Sequence, residues 1–484
     1  MITRRKLVAG IGAFAFGCPV SAASEEPPEQ WTRTFDVIVA GGGGAGLAAA
    51  VSAAQNKASV LLVEKMPMLG GDTLRSTGYL SCVEPRRQQL NGVHDSQELH
   101  YRQTMRSGQN RGNPHLVRTM VREAPETVAW LEELGVVFQD AVYEIYGSDY
   151  RRCLKPLLPR GSAYVRALSQ KAAALGVHVL LETPLTDLCL DESARAVGIL
   201  TRNARGKSAA FGARRGIVLA TGGFGANREM VARHAPVLAG LPTDNSPGST
   251  GDVLLAAPRH GIALEGLEYV ECVAGNPPGR KTHARLFLPA DFVLVNEQGA
   301  RFVEEDALRL ELTKSILKQS NRRCFTVFDQ QGVDRLDPIS QKGLYQALVA
   351  DEAWRADSLG QLAGMMRVPV RRLEEEIACY NSMAAQTEKT ENGKCARVGC
   401  TPLVKPPFWA YEVGLTVHYT PGGLRINEQG LVMKTDGSPV KALWAAGETT
   451  GSVHGVNRLG GNGLADALTF GRLWGQAAAK NNKN

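Results

Sequence analysis

The chain has 484 residues, 44% of them hydrophobic and 21% charged, the balance of a globular protein and too long for one simple core. Its formal net charge is +7, but Arg4, Arg5 and Lys6 supply three of those charges before the first acid, Glu25. The remainder of the chain is mildly basic without a long basic run, which argues against a nucleic-acid partner. In chain order, the twin arginine Arg4-Arg5 and the apolar run Val8 to Val20 predict an export leader over residues 1–23, ending in the small residues Ser21-Ala22-Ala23. That run is too short to span a bilayer, so no stable membrane span is expected. Residues 24–33, with Pro27 and Pro28, read as a linker.

Asp36 to Ala40 reads as a buried strand, followed by Gly41-Gly42-Gly43-Gly44-Ala45-Gly46, an Ala-rich helix, a second strand Ser59 to Val63, and Glu64. This order is a dinucleotide-binding unit. Gly41 permits the tight turn, Gly43 lets a pyrophosphate approach the helix N-terminus, and Gly46 lets helix and strand pack closely. Glu64 stands where a carboxylate accepts ribose hydroxyls. A polar Gly-rich stretch follows, with Gly70, Gly71, Thr73 and Gly78. Helices are predicted around Asn113 to Leu134 and Ser162 to Leu175, and Val177 to Asn203 alternates like a small β-meander. The strand Gly216 to Leu219 leads into a second glycine turn, Thr221-Gly222-Gly223. From Glu268 to about Thr416 the pattern shifts to shorter strands and a charged helix, Val368 to Gln386. From His418 the chain returns to glycine-rich turns, above all Ala445 to Asp466, which hold Glu448, His454 and Arg458. Glycine turns in three separated segments suit one extended ligand, which favours FAD over a nicotinamide dinucleotide.

Nine cysteines are present without a CxxC or CxxCH spacing, so neither c-type haem, an iron–sulfur cluster nor another metal site is expected. Cys395 and Cys400 are compatible with a disulfide and equally with two free thiols.

With these motifs the chain resembles the FAD-binding subunit family of fumarate reductase and succinate dehydrogenase, above all the soluble periplasmic fumarate reductases (flavocytochromes c). The likeness runs from about Thr34 to the C-terminus and rests on VIVAGGGGAGLAAA, LLVEKMPMLGGDT, ATGGFGAN, STGD, LVNEQGARFVEE, VHYTPGG and AAGETTGSVHGVNRLGGNGLAD. It implies an α/β protein with a Rossmann-like FAD-binding domain, residues 34–267 and 418–484, and an inserted smaller α+β capping domain, residues 268–417. It also implies cofactor contacts from Ala45, Lys65, Asp252, Gly461, Asn462 and Leu464, beside Gly41, Gly43, Gly46, Glu64, Gly70, Gly71, Thr73, Gly78, Thr221, Gly222, Gly223, Glu448 and Arg458. Arg458 is implied as the clamp on a substrate carboxylate, His418 as a second ligand to that carboxylate, and Arg309 as the proton donor. Glu305 or Asp306 are candidates to repair the charge of Arg309.

The implied reaction is reduction of the C=C bond of an α,β-unsaturated carboxylic acid. A hydride comes from flavin N5, a proton from an arginine, and electrons from a separate c-type cytochrome outside the cytoplasm, in the periplasm. No histidine lies near Asp72-Thr73 to carry the flavin, so non-covalent FAD is expected. The chain departs from fumarate reductases at Val273-Ala274, where His-Pro is usual, and at Ala284 and Leu288, which replace a Thr and an Arg. Those changes remove partners for a second carboxylate, so a monocarboxylic enoate with an apolar or aromatic tail is expected. Arg280, Lys281, His283 and Arg285 are possible replacement cations. The alternatives are a fumarate reductase proper, a flavoenzyme like a 3-ketosteroid dehydrogenase, or a non-catalytic electron-relay module.

Overall fold

Four parallel strands bring their carboxyl ends to one edge: Val60–Val63, Arg33–Ala40, Ser208–Leu219 and Pro439–Ala445. Val63 is level with Ala40, Ala40 with Leu219, and Leu219 with Ala445. Toward these ends the strands are apolar and buried, over residues 37–40, 60–63, 217–219 and 443–445, as a parallel sheet covered by helices requires. The computed structural model of the chain describes residues 30–145, 147–203, 205–282, 284, 286, 288–385 and 400–481. The expected leader with its twin arginine, most of the linker, His283, Arg285 and Cys395 lie outside the described residues.

The sheet has eight strands. His178–Leu180 joins it in parallel beside Val60–Val63, while Leu185–Leu190 and Ala196–Arg202 form an antiparallel pair continued onto Ser208–Leu219. The expected meander over Val177 to Asn203 is therefore divided. Glu182 adopts a positive φ of 50° and Pro184 follows, so the chain turns out of the parallel register before it re-enters the sheet.

The helix Gly44–Gln55 follows the first strand, and the C-terminal helix Asn462–Lys480 lies along it. Small residues permit this contact. A Cβ on Gly471 would lie 2.3 Å from the carbonyl oxygen of Ala45, and one on Gly475 2.2 Å from that of Ala49. Gly46 is needed for the same reason on the other side, where a Cβ would sit 1.8 Å from the carbonyl oxygen of Gly41. Gly41 itself turns at φ +105°, a conformation that side chains disfavour.

Helices occur at Pro114–Glu133, Ser162–Ala174 and Val370–Ala385, within two residues of each expected end. Asn113 caps the first, accepting from the backbone N–H groups of His115 and Leu116. A second sheet of five strands contains Glu271–Gly275, Phe408–Tyr419, Cys324–Asp329, Val293–Val295 and Ala353–Ala356. Its outer layer has its own apolar cluster, with Leu362, Leu373 and Ile377 over Val293, Phe325 and Val327. The strand Phe408–Tyr419 runs without a break through position 418, so His418 sits at the end of a strand of this second sheet. Among the described residues, no helix is long and apolar enough to cross a membrane.

Candidate active site

A cavity opens at the carboxyl ends of the parallel strands. The residues following those strands, Gly41, Glu64, Ala220 and Ala446, all line it. At this edge the helix Gly44–Gln55 begins with no side-chain cap, and a Cβ on Gly43 would meet nothing within 4 Å. The helix Asn462–Lys480 likewise starts without a side-chain cap, and Gly461, Gly463 and Leu464 line the wall. Two helix N-termini therefore direct partial positive charge at the same space, which suits a pyrophosphate, and the Gly44 N–H at the first of them donates to Thr73 Oγ1 at 3.0 Å. The Glu64 carboxylate is fixed by the N–H groups of Gly42 at 2.6 Å and Met66 at 2.7 Å. The residues at this end fit an extended dinucleotide such as FAD.

The expected cofactor residues divide between the wall and the layer behind it. Gly41, Gly43, Ala45, Glu64, Gly71, Thr73, Thr221, Gly222, Glu448, Arg458, Gly461 and Leu464 line the cavity. Lys65 and Asp252 pair at 2.8 Å beside a smaller neighbouring pocket that shares Gly41, Glu64 and Thr221. Gly46, Gly70, Gly78, Gly223 and Asn462 stand behind the wall. A Cβ on Gly223 would strike Thr420 and Glu448, and one on Gly78 the backbone of Arg160. The Asn462 side chain holds His100 Nε2 at 2.9 Å and donates to Thr104 Oγ1 at 2.9 Å.

Burial pushes the Glu448 carboxyl up to about 8, with the nearby Asp72 adding to the shift. The N–H and hydroxyl of Thr420 donate to Glu448 Oε1 at 2.9 and 3.1 Å and oppose it in part. Asp72 is itself buried and raised. It accepts short hydrogen bonds from Ser246 N and Ser249 Oγ, which tie the loop between them to this wall.

Arg309, His418 and Arg458 come from three separated segments and line the same cavity. Arg309 is the first residue of the helix Arg309–Leu317, and Arg458 stands in the turn before the C-terminal helix. The guanidinium carbon of Arg458 lies 4.2 Å from the centre of the Tyr419 ring, a cation–π contact. Tyr419 in turn meets His454 edge-on, and His454 Nε2 pairs with Asp466 at 3.0 Å. Burial, with Asp466 and Glu448 nearby, raises the Tyr419 phenol far above its usual range and keeps the platform neutral. His418 Nδ1 lies 3.0 Å from both carboxylate oxygens of Asp244, leaving Nε2 as the ring nitrogen for a ligand.

A residue that the motifs gave no reason to single out joins the two arginines. Glu271 Oε1 is 3.0 Å from Arg309 Nη1 and 3.2 Å from Arg458 Nη2, and its Oε2 accepts from the backbone N–H of Arg458 at 3.1 Å. Burial works against its charge, yet Arg458, Arg309 and His418 together hold the carboxyl below its usual range. The one signal in the sequence is an acid placed between apolar neighbours in Val270-Glu271-Cys272-Val273. Glu305, expected beside Arg309, is bound instead by Arg301 at 3.0 and 2.9 Å and by the N–H of Leu294. Asp244 is likewise without a sequence signal, and Tyr419 lies in the VHYTPGG motif without a role assigned to it there. Val273, Ala284 and Leu288 are not on the described cavity wall; Val273 is buried opposite Thr416 in the second sheet. Arg280 pairs with Glu412. Cys400 is disulfide-bonded.

The FAD binding domain family matches residues 36–464. The chain is 31% identical over 98% of its length to an NADH:acrylate oxidoreductase of Vibrio harveyi and covers 53% of that protein, so it spans about half the length of this relative. It is 32% identical over 93% of its length to a fumarate reductase (cytochrome) of Shewanella frigidimarina, covering 78% of it. Among solved structures, the open conformation of a flavocytochrome c3 fumarate reductase superposes with a TM-score of 0.75 at 29% identity, over 93% of this chain and 79% of that one.

Proposed function

Because the chain belongs to the FAD-binding family of the fumarate reductase flavoproteins, we propose that it is an exported reductase of the C=C bond of an α,β-unsaturated monocarboxylic acid. One observation carries this reading. Arg309, Arg458 and His418 line the same cavity as the N-termini of two helices. FAD, bound there without a covalent link, supplies the hydride.

The chain's own side chains supply the rest. Arg458, supported on Tyr419, offers a planar fork to the substrate carboxylate. His418, oriented by Asp244, turns its other ring nitrogen to the same group. Together they stabilise negative charge that builds on the acid as the double bond is reduced. Arg309 gives the proton to the α carbon. Because a guanidinium barely deprotonates in a protein, that transfer is paired with rapid reprotonation. Residues 268–417, built around the five-stranded sheet, act as a cap that excludes water from the reacting carbon.

Three finer points belong to the same reading. No histidine stands between Gly70 and Gly78 to attach a flavin. The twin arginine Arg4-Arg5 supports export, and a disulfide-bonded Cys400 suits an oxidising compartment. A separate c-type cytochrome is the electron donor in this reading, in keeping with the fumarate reductase (cytochrome) relative.

The test is reoxidation of the dithionite-reduced protein by a panel of enoates, including acrylate, cinnamate, urocanate and fumarate, with succinate as the oxidation control. A monocarboxylic enoate is expected to give the highest kcat/KM, with viologens supporting turnover and NADH not. Turnover of 3-ketosteroids without any enoate reduction refutes the reading, and efficient NADH-driven turnover refutes the separate donor.

A further inference from the structure

Glu271 places a full negative charge where two arginines converge on the substrate end of the cavity. Its side chain is 1% exposed. It does not line the cavity but lies behind the wall, touching both guanidinium groups and the backbone that carries Arg458. Arg309, Arg458 and Glu271 together carry one net positive charge. Asp244 adds a second carboxylate at the wall, placed against His418, and offsets any charge that imidazole gains.

Such a site balances one carboxylate. A second carboxylate on the substrate would enter a region where one of the two arginine charges is already neutralised, and where the acids Glu271 and Asp244 repel it in a poorly screened interior. The apolar substitutions expected to disfavour a second carboxylate, Val273, Ala284 and Leu288, are off the described wall. Discrimination by charge therefore falls to groups in contact with the clamp.

We infer that Glu271 is a specificity-determining residue that makes this site select substrates bearing a single negative charge. This rests on the reductase reading only for where the substrate carboxylate lies. Glu271 acts through Arg309 and Arg458 as a positioning and charge-setting residue, and touches no reacting atom.

Fumarate and its monomethyl ester share a carbon skeleton and differ by one charge. Their dissociation constants are measured on the oxidised, FAD-loaded protein from the change in the flavin absorption spectrum, which needs no turnover. The wild type is expected to bind the monoester at least about tenfold more tightly than fumarate. Glu271→Gln keeps an acceptor for Arg309 and Arg458 but removes the charge, and is expected to lower that preference by about tenfold or more. Glu271→Asp keeps the charge and is expected to keep the preference. A merely structural role for Glu271 would weaken both ligands together and leave their ratio unchanged.

The inference is overturned if the wild type binds fumarate as tightly as the monoester, if Glu271→Gln leaves the ratio within about twofold, or if Glu271→Asp loses it. Should the Gln variant not accumulate as folded protein, the wild-type ratio and the Asp variant still overturn or support it. A charge-dependent ratio without reduction of any enoate upholds the selectivity and removes the reductase reading; reduction of enoates with a ratio insensitive to Glu271 does the reverse.

Discussion

The guanidinium carbon of Arg458 lies 4.2 Å from the centre of the Tyr419 ring, while its Nη2 reaches Glu271 at 3.2 Å. A π system and a carboxylate thus both hold the group before a ligand arrives. Among the described residues, its Nε is buried without a hydrogen-bond partner. Arg458→Ala is expected to weaken both substrate binding and rate. It strips a buried charge pair of one member, worth roughly 3–5 kcal/mol, or on the order of 10²- to 10⁴-fold in kcat/KM. Arg458→Lys is expected to recover little, because an ammonium offers neither the planar fork nor the stacking face. Steady-state kinetics on the best enoate check both.

Arg309→Ala is expected to abolish turnover while leaving FAD bound. Arg309 contributes to the substrate end of the cavity and stands on a different segment from the glycine turns at the helix N-termini. The flavin content of the purified variant, read against protein concentration, separates this outcome from loss of the fold.

Gly475→Ala is expected to destabilise the protein although it adds one methyl group to a helix. The new Cβ would lie 2.2 Å from the carbonyl oxygen of Ala49, a backbone atom that cannot move aside alone. Helix separation or bending is required, at a cost of about 1–3 kcal/mol. Thermal denaturation of the FAD-loaded variant is expected to show a lower midpoint. An unchanged midpoint argues that the helices Gly44–Gln55 and Asn462–Lys480 are not locked at this contact.

Stability is expected to fall as pH drops below neutrality, with His100 as one source. Burial, assisted by the charge of Arg152, depresses the imidazole from 6.5 to about 3. The unfolded chain therefore takes up a proton near pH 6.5, while the folded chain does not until pH is close to 3. The stability from burying neutral His100 is complete above pH 6.5 and is lost progressively below it. At about pH 5.5 the loss is about 1.4 kcal/mol. Glutamine at position 100 does not titrate, so His100→Gln is expected to lose less stability than the wild type between pH 7 and pH 5.5, measured by urea denaturation at each pH.

Acid precipitation is expected to release the flavin into the supernatant, since no histidine lies in the stretch Gly70 to Gly78. Flavin remaining with the precipitate refutes non-covalent binding. Replacing Arg4 and Arg5 by Lys is expected to retain the protein in the cytoplasm, which cell fractionation detects; normal export of that variant refutes the leader reading.

Much of the fold was written in local chemistry. The strand, glycine turn, helix and second strand from Asp36 to Val63 were readable because backbone conformation and hydrophobic period depend on neighbours a few residues apart. The same holds for the helices Pro114–Glu133 and Ser162–Ala174. The likeness to a flavoprotein family singled out Arg309, His418 and Arg458, and these three line one cavity.

What local chemistry did not contain was the environment of those side chains. Glu271 and Arg458 are 187 residues apart, and Asp244 and His418 are 174 apart. Glu271 reaches the site because it lies opposite Tyr419 in the register of the second sheet, and Asp244 reaches His418 because its neighbour Thr243 bridges Val417. Tertiary packing also took Val273 into that sheet and gave Glu305 to Arg301. Motif and period thus determined which groups the protein carries and the elements that bear them. Long-range strand pairing and the burial of charge decided which groups touch, because an ion pair is set by distances of a few ångströms that sequence separation does not encode.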